Sequence, residues 1–158
     1  MKKPSKQVKQ IWSLGFRYLL IVLAGLNGLF VFYLVFTPLT IALAAVLIGI
    51  FSQTTVISNT IITNSAIIEL IPACIAGSAY YLLFILVFAT PNIPPLRRLK
   101  VLLFVLASFL VLNVLRIIFL ASISSSQSFQ AVHLFFWYAV STIFVVGLWI
   151  LAVRLFNI

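Results

Sequence analysis

The sequence predicts an all-α integral membrane protein with four transmembrane helices, and three observations lead to that prediction. The chain of 158 residues is 65% hydrophobic and only 7% charged, whereas soluble domains contain about 45–50% apolar residues. Several apolar runs reach the ~20 residues needed to cross the hydrocarbon core of a bilayer. These runs are continuous rather than alternating in polarity, which favours membrane helices over membrane strands.

A basic tail, residues 1–13, precedes the first apolar run. That run, residues 14–36, is interrupted only by Arg17 and Asn27. It is too long for the apolar core of a signal peptide, which spans about 7–15 residues, and it ends in bulky residues rather than a small-residue cleavage site. We therefore interpret residues 14–36 as an uncleaved first span that leaves the basic tail in the cytoplasm.

The next region, residues 37–71, is expected to form an extracytoplasmic cap. Its apolar part, residues 39–51, would be only about 20 Å long as a helix, whereas the hydrocarbon core is about 30 Å thick. We therefore expect an interfacial or re-entrant helix there. The following stretch is rich in β-branched residues around Ser58-Asn59 and Asn64-Ser65, which predicts one or two small β-hairpins.

Three further spans follow the cap. The second span, residues 72–89, begins at Pro72, because the N–H that proline lacks would be unpaired in a first helical turn anyway. A proline-rich basic loop separates it from the third span, residues 99–121. A serine-rich turn then precedes the fourth span, residues 130–153.

The positions of the basic residues predict the topology. If both termini and the loop containing Arg97, Arg98 and Lys100 are cytoplasmic, every basic residue except Arg116 obeys the positive-inside rule. This arrangement requires that residues 39–51 do not cross the membrane. The net charge of +9 is then explained by topology, so we expect membrane lipid and no nucleic acid as a partner.

Three polar residues stand out near the outer ends of different predicted helices. Cys74 and His133 are the only residues of their types, and each lies in the first turn of a span, where the helix dipole favours a thiolate at Cys74. Arg116 lies within an apolar span, where an arginine costs about 2.5–3.5 kcal/mol at the bilayer centre. Ordinary alternatives stay open: a cysteine that fills space, an interfacial histidine, and an arginine that reaches the headgroups.

These residue types suit acyl transfer by a cysteine, in which a thiolate attacks a carbonyl, a histidine moves protons and a cation stabilises the oxyanion. Candidates for the group that orients His133 are Asn113 and Glu69, the only acidic residue. Glu69 could equally be a favourable charge before a helix. No residue spacing suits a metal ion or a phosphate-bearing cofactor, so neither is expected.

Three short motifs occur in order along the chain: Ala-Cys-Ile-Ala-Gly at residues 73–77, Asn-Val-Leu-Arg-Ile at residues 113–117, and His133 at the start of the last span. A Pro-Leu-Thr helix and a β-like segment precede them. In these features the chain resembles the exosortase/archaeosortase family of membrane sorting enzymes. It departs from the family in two ways. The family often has Cys-Ser-Gly or Cys-Thr-Gly, and many members have more spans before the cap.

The resemblance implies roles for these residues. Cys74 would be the nucleophile, Arg116 the carbonyl or oxyanion stabiliser and His133 the base, with Gly77 in support. The substrate would be a surface protein that ends in a short motif, a transmembrane helix and a basic tail. It would be cleaved at the extracytoplasmic face and passed to a lipid, a glycan or water. The alternative is a non-catalytic transport or assembly factor whose Arg116 binds an anionic headgroup.

Overall fold

The structure is a computed structural model that describes residues 6–64, 67–123 and 129–158. It is 79% helical, which confirms the predicted helical class. The start of the basic tail and most of the serine-rich turn lie outside the described residues. The elements are α1 (Lys6–Gly25), α2 (Phe30–Gly49), β1 (Thr54–Ile57), β2 (Thr60–Thr63), β3 (Ile67–Glu69), α3 (Pro72–Ile75), α4 (Gly77–Ala89), α5 (Pro95–Ser122), α6 (Phe129–Ala139) and α7 (Val145–Phe156).

Helices of membrane-spanning length are present in three places within the described ranges. The segments Phe30–Gly49, Pro72–Ala89 and Pro95–Ser122 are long and apolar enough to cross a bilayer. Two shorter apolar helices, Ile11–Gly25 and Thr142–Phe156, accompany them. These segments support a membrane protein, and the second and third lie where the sequence predicts spans.

The first predicted span is not a single helix. A 3₁₀ turn over Leu26–Leu29 separates α1 from α2. Gly28 and Leu29 have φ angles of 63° and 66°, a left-handed conformation that a right-handed helix cannot contain. The break lets α1 pack mainly on α4, while α2 packs on both α4 and α5.

The α2 helix also differs from the prediction at its other end, because it continues through Pro38 to Gly49. We expected the span to end at residue 36 and a separate helix to cover residues 39–51. One buried stripe with four-residue spacing instead crosses the proline, formed by Phe32, Phe36, Thr40 and Ala44. A proline inside a helix costs about 3 kcal/mol, and the packing of this stripe on α4 and α5 offsets that cost.

The broken α1–α2 segment runs antiparallel to α3 and α4. At one end, the guanidinium of Arg17 donates a hydrogen bond to the carbonyl oxygen of Thr90. Toward the other end, the ring of Phe36 stacks on Tyr80 with centroids 3.6 Å apart. Residues 14–36 therefore lie beside residues 72–89, although they do so as two helices and a turn.

A three-stranded antiparallel sheet in the order β1-β2-β3 covers one end of the bundle. The β1–β2 hairpin turns at Ser58 and Asn59, which confirms the hairpin predicted there. The side chain of Ile61 is completely buried and anchors the sheet on the helices. The N–H of Leu70 donates to the carbonyl of Asn59 at 2.9 Å, and this bond fixes the chain just before α3.

The last helical segment runs back along α5 as α6, a π-helical turn at Val140–Phe144, and α7. Phe136 packs on Phe119 near the sheet, and Phe156 packs on Phe104 nearer the opposite end. Arg98 and Asn113 mark the two ends of the bundle on α5. At 1.5 Å per residue they are about 22 Å apart along the helix.

Candidate active site

A cavity of about 200 Å³ lies under the sheet, between β3, α3, α5 and α6. Four polar side chains line it: Glu69, Cys74, Arg116 and His133. The rest of its lining is apolar, formed by Ile67, Ile68, Leu70, Ile117, Leu120 and Ala121. The structure therefore brings the three residues predicted as catalytic, and one of the two predicted supporting polar residues, around one space.

Cys74 lies in α3, which is a single turn. Pro72 begins this turn after extended backbone at Ile71, and the N–H of Cys74 donates to the carbonyl of Ile71 at 2.8 Å. The turn ends at Ala76, whose φ of 58° and ψ of 44° are left-handed. The sequence analysis placed Cys74 at the start of one long helix. Because α3 is separated from α4, the dipole of a long helix does not act on the thiol.

Asn113 holds this turn in place from α5. In a continuous helix, the carbonyls of Cys74 and Ile75 would accept from residues four positions later. Here the N–H of Ala79 donates to Ala76 instead. The Asn113 Nδ2 atom donates to the carbonyl of Cys74 at 2.9 Å and to that of Ile75 at 3.4 Å. Asn113 is fully buried, so it replaces hydrogen bonds that water cannot supply.

Arg116 is buried, with 4% of its surface exposed, rather than extended toward headgroups. Its Nη1 atom donates to the Oδ1 atom of Asn113 at 3.1 Å, so Asn113 links the arginine to the cysteine turn. Arg116 and Cys74 are close enough to interact electrostatically. The Nε atom of Arg116 is buried and has no hydrogen-bond partner within the described part of the chain. Arg116 is bonded to a neutral acceptor and has one N–H group without a partner among the described residues. Its positive charge is therefore not cancelled and can act on a ligand.

The remaining predicted residues have distinct surroundings. His133 is half-buried on α6 and Glu69 is exposed at the end of β3, and both line the cavity. The hydrogen bonds of Asn113 go to α3 and to Arg116, a bridging role that the sequence analysis missed. The three-residue spacing of Asn113 and Arg116, which places two side chains on one helix face, was the available signal.

Gly77 contributes to packing rather than to the cavity lining. A Cβ atom at Gly77 would lie 2.7 Å from the Cζ atom of Tyr33. The absence of a side chain therefore lets the Tyr33 ring of α2 approach the first residue of α4. Sequence reasoning did not identify Tyr33 as the neighbour of this glycine.

Within the described ranges, no group of three or more His, Cys, Asp and Glu side chains is placed to hold a metal ion. No protein-family model, curated protein or solved structure matches the chain. The chemical capacity of the cavity therefore comes from its own groups, which are a thiol, an imidazole, a guanidinium and a carboxylate around one small space.

Proposed function

We propose that the protein is a membrane-embedded cysteine transpeptidase or protease that cleaves a C-terminal sorting signal of surface proteins at the extracytoplasmic face. The single observation that carries this proposal is the cavity shared by Cys74, Arg116 and His133, which come from three different helices. The ordered motifs that resemble the exosortase/archaeosortase family add support. The released surface protein would pass to a lipid, a glycan or water.

The chemistry proceeds through a thioester. His133 takes the proton of the Cys74 thiol, and the sulfur attacks the carbonyl carbon of the substrate peptide bond. Arg116 stabilises the oxyanion of the tetrahedral intermediate through its guanidinium group, which lines the cavity. His133 then donates the proton to the leaving amine. A hydroxyl, an amine or water attacks the thioester and releases Cys74.

We place the protein in the membrane with four crossings, formed by α1–α2, α3–α4, α5 and α6–α7. The positive-inside rule assigns the end with Arg17 and Arg98 to the cytoplasm. Arg116, which lines the cavity, lies about 27 Å from Arg98 along α5, close to the ~30 Å of hydrocarbon. The cavity would then lie near the outer boundary, at the height of a peptide bond that just precedes a substrate's transmembrane helix.

The decisive experiment co-expresses this chain with a tagged surface protein that ends in a transmembrane helix and a basic tail, and follows its processing. Loss of its C-terminal fragment is measured by immunoblot. Cys74→Ser is expected to abolish processing, because a serine hydroxyl is a far weaker nucleophile than a thiolate. Ser78→Ala, an exposed position on α4, serves as the matched control and should process normally. Full processing by the Cys74→Ser variant would exclude the enzyme.

The alternative is a non-catalytic protein that binds an anionic headgroup at Arg116, and the unpartnered Nε atom of this residue also fits that function. It predicts that Cys74 is dispensable and that Arg116→Lys is largely tolerated, because the positive charge remains. The transpeptidase predicts the reverse for both variants. The non-catalytic alternative predicts no processing in the substrate assay, and it predicts that binding of an anionic lipid is retained by the Cys74→Ser and Arg116→Lys variants.

The four-crossing topology has its own test. Single cysteines at Ile57 and Pro91, both exposed, are introduced in a Cys74→Ala background and treated with an impermeant maleimide in intact cells. The cysteine at position 57 should be labelled from outside, and that at position 91 only after the cells are opened. Labelling at position 91 from outside would place the basic end on the wrong side and exclude the topology.

A further inference from the structure

Two arginines meet at the end of the bundle that lies opposite the Cys74 cavity. Arg17 of α1 donates from Nη1 to the carbonyl oxygen of Thr90 at 3.0 Å. Arg98 of α5 donates from Nη2 to the same oxygen, also at 3.0 Å. Arg17 is only 8% exposed, so this is a built arrangement rather than a pair of surface side chains.

The two guanidinium groups are not neutralised by the protein. They are close enough to repel each other electrostatically, and a carbonyl oxygen supplies no full negative charge. The only acidic side chain of the sequence is Glu69, which lines the cavity at the other end. The Nε atoms of Arg17 and Arg98 are both buried and lack a hydrogen-bond partner among the described residues.

A second cavity, of about 410 Å³, opens beside these two arginines. Ser13 and Asn92 add polar groups to its lining, and Pro95 brings the first residue of α5 to it. Pro95 has no N–H and the N–H of Arg98 donates to the carbonyl of Pro94, so the start of α5 contributes the positive end of its dipole, which favours an anion there. Three sources of positive potential therefore converge on one space.

We propose that this cavity binds a phosphate group, carried by an anionic phospholipid of the adjacent leaflet or by inorganic phosphate. Guanidinium groups match phosphate oxygens with paired, charge-assisted hydrogen bonds, and Arg17 and Arg98 both line this cavity. Exposed apolar side chains of α1 next to the cavity, Ile11 and Leu14, offer a surface for the acyl chains of a lipid.

The test uses the full chain, purified in a neutral detergent, and measures its thermal unfolding midpoint and lipid binding by native mass spectrometry. The ligands are phosphatidylglycerol, zwitterionic phosphatidylcholine and millimolar inorganic phosphate. The variants are Arg17→Gln and Arg98→Gln. Arg97→Gln, an exposed neighbour with the same charge change, is the matched control.

We expect phosphatidylglycerol to raise the midpoint of the unmodified protein and of Arg97→Gln, while phosphatidylcholine has little effect. Arg98→Gln should weaken phosphatidylglycerol binding by about tenfold, the loss expected for one charge-assisted hydrogen bond. Arg17→Gln should weaken it at least as much. If the Arg17→Gln variant does not fold, the comparison of Arg98→Gln with Arg97→Gln still tests the proposal, because Arg98 is partly exposed.

The remaining outcomes identify the source of the phosphate or reject the site. A midpoint raised by phosphatidylglycerol but not by inorganic phosphate identifies a lipid headgroup, and one raised by inorganic phosphate alone identifies the soluble ion. Equal weakening by Arg97→Gln and Arg98→Gln would overturn the proposal, because binding would then follow net charge. No effect of either ligand would also overturn it.

Discussion

The two ends of the bundle each bury an arginine, and they hold it in different ways. Arg116 and Arg17 are 4% and 8% exposed, and each has an Nε atom without a partner among the described residues. Arg17 is held by a backbone carbonyl that it shares with Arg98. Arg116 is held by the amide of Asn113, which also binds the cysteine turn.

The comparison shows what a neutral acceptor does for a buried cation. A carboxylate would neutralise each arginine, whereas a carbonyl or amide oxygen orients it and leaves its charge for a ligand. The side-chain amide of Asn113 adds a connection to Cys74 that a backbone carbonyl cannot provide. This difference is the reason why we propose catalysis at the Arg116 end and ligand binding alone at the Arg17 end.

The largest expected effect separates Arg116 from a surface arginine. Arg116→Gln should lower the rate of substrate processing by about 10²–10³-fold, the usual cost of losing an oxyanion-stabilising donor. Arg97→Gln, which removes the same charge at an exposed position, should leave the rate unchanged. The rates are measured with equal amounts of membrane-inserted protein. Similar losses in both variants would mean that the charge of Arg116 acts only through the overall field.

The link through Asn113 is expected to matter for stability as well as for rate. Asn113→Ala leaves two buried carbonyls and the Arg116 guanidinium without this partner, and each such group costs about 1–3 kcal/mol. Together the three groups predict a loss of about 3 kcal/mol or more in the free energy of unfolding, and we expect a lower kcat with a smaller change in KM.

The conservative variant at this position separates a positioning role from a purely structural one. Asn113→Asp keeps an acceptor for Arg116 but loses the donor to Cys74, so the cysteine turn is released, and the new carboxylate also neutralises the charge of Arg116. A fall in kcat for Asn113→Asp is therefore expected. Unchanged kinetics in both Asn113 variants would show that this bridge does not position the nucleophile.

Packing between α2 and α4 is tested by a pair of glycine substitutions. Gly77→Ala would place a Cβ atom 2.7 Å from the Cζ atom of Tyr33, and overpacking of this kind costs about 1–3 kcal/mol. Gly147→Ala meets no atom within 4 Å and should stabilise α7 by up to about 1 kcal/mol through helix propensity. Thermal unfolding in detergent measures both. Equal shifts in the two variants would contradict the close approach.

The smallest expected effect concerns the left-handed residue after the cysteine turn. Ala76 has a φ of 58°, where an L-residue pays about 1–2 kcal/mol and glycine pays none. Glycine loses more entropy on folding, so Ala76→Gly should stabilise the protein by less than about 1 kcal/mol. It would also create a Cys-x-Gly sequence, the spacing common in the family that this chain resembles. A loss of stability would show that the backbone here is not strained.

Part of the helical arrangement follows from local chemistry, although the predicted second span is broken at Ala76 into α3 and α4. Apolar runs, Pro72 at a helix start and the Ser58-Asn59 turn identify α3, α5 and the hairpin. The broken first span was missed because Leu26–Leu29 is mostly apolar, so no polar turn signal marks it. The path of α2 through Pro38 depends on helices distant in sequence, whose packing outweighs the local preference of proline.

The candidate site, too, could be predicted from the sequence only in part. Residue types and topology place Cys74, Arg116 and His133 at similar depth, because each lies near the same end of a predicted span. The spacing of Asn113 and Arg116 indicates their contact, but the hydrogen bonds of Asn113 to α3 could not be predicted, because they depend on the break at Ala76 that exposes the carbonyls of Cys74 and Ile75. A left-handed alanine has no sequence signature, since alanine otherwise favours a continuous helix.

The two buried arginines, Arg116 and Arg17, also differ in the order in which they and their hydrogen-bond partners are translated. Asn113 follows Cys74 by 39 residues, so its acceptor is already inserted when α5 enters the membrane and brings Arg116 with it. Arg17 precedes Thr90 by 73 residues, so this cation is made long before the carbonyl that will hold it. The end of the bundle that is translated first is therefore expected to be completed only after α4 has been inserted.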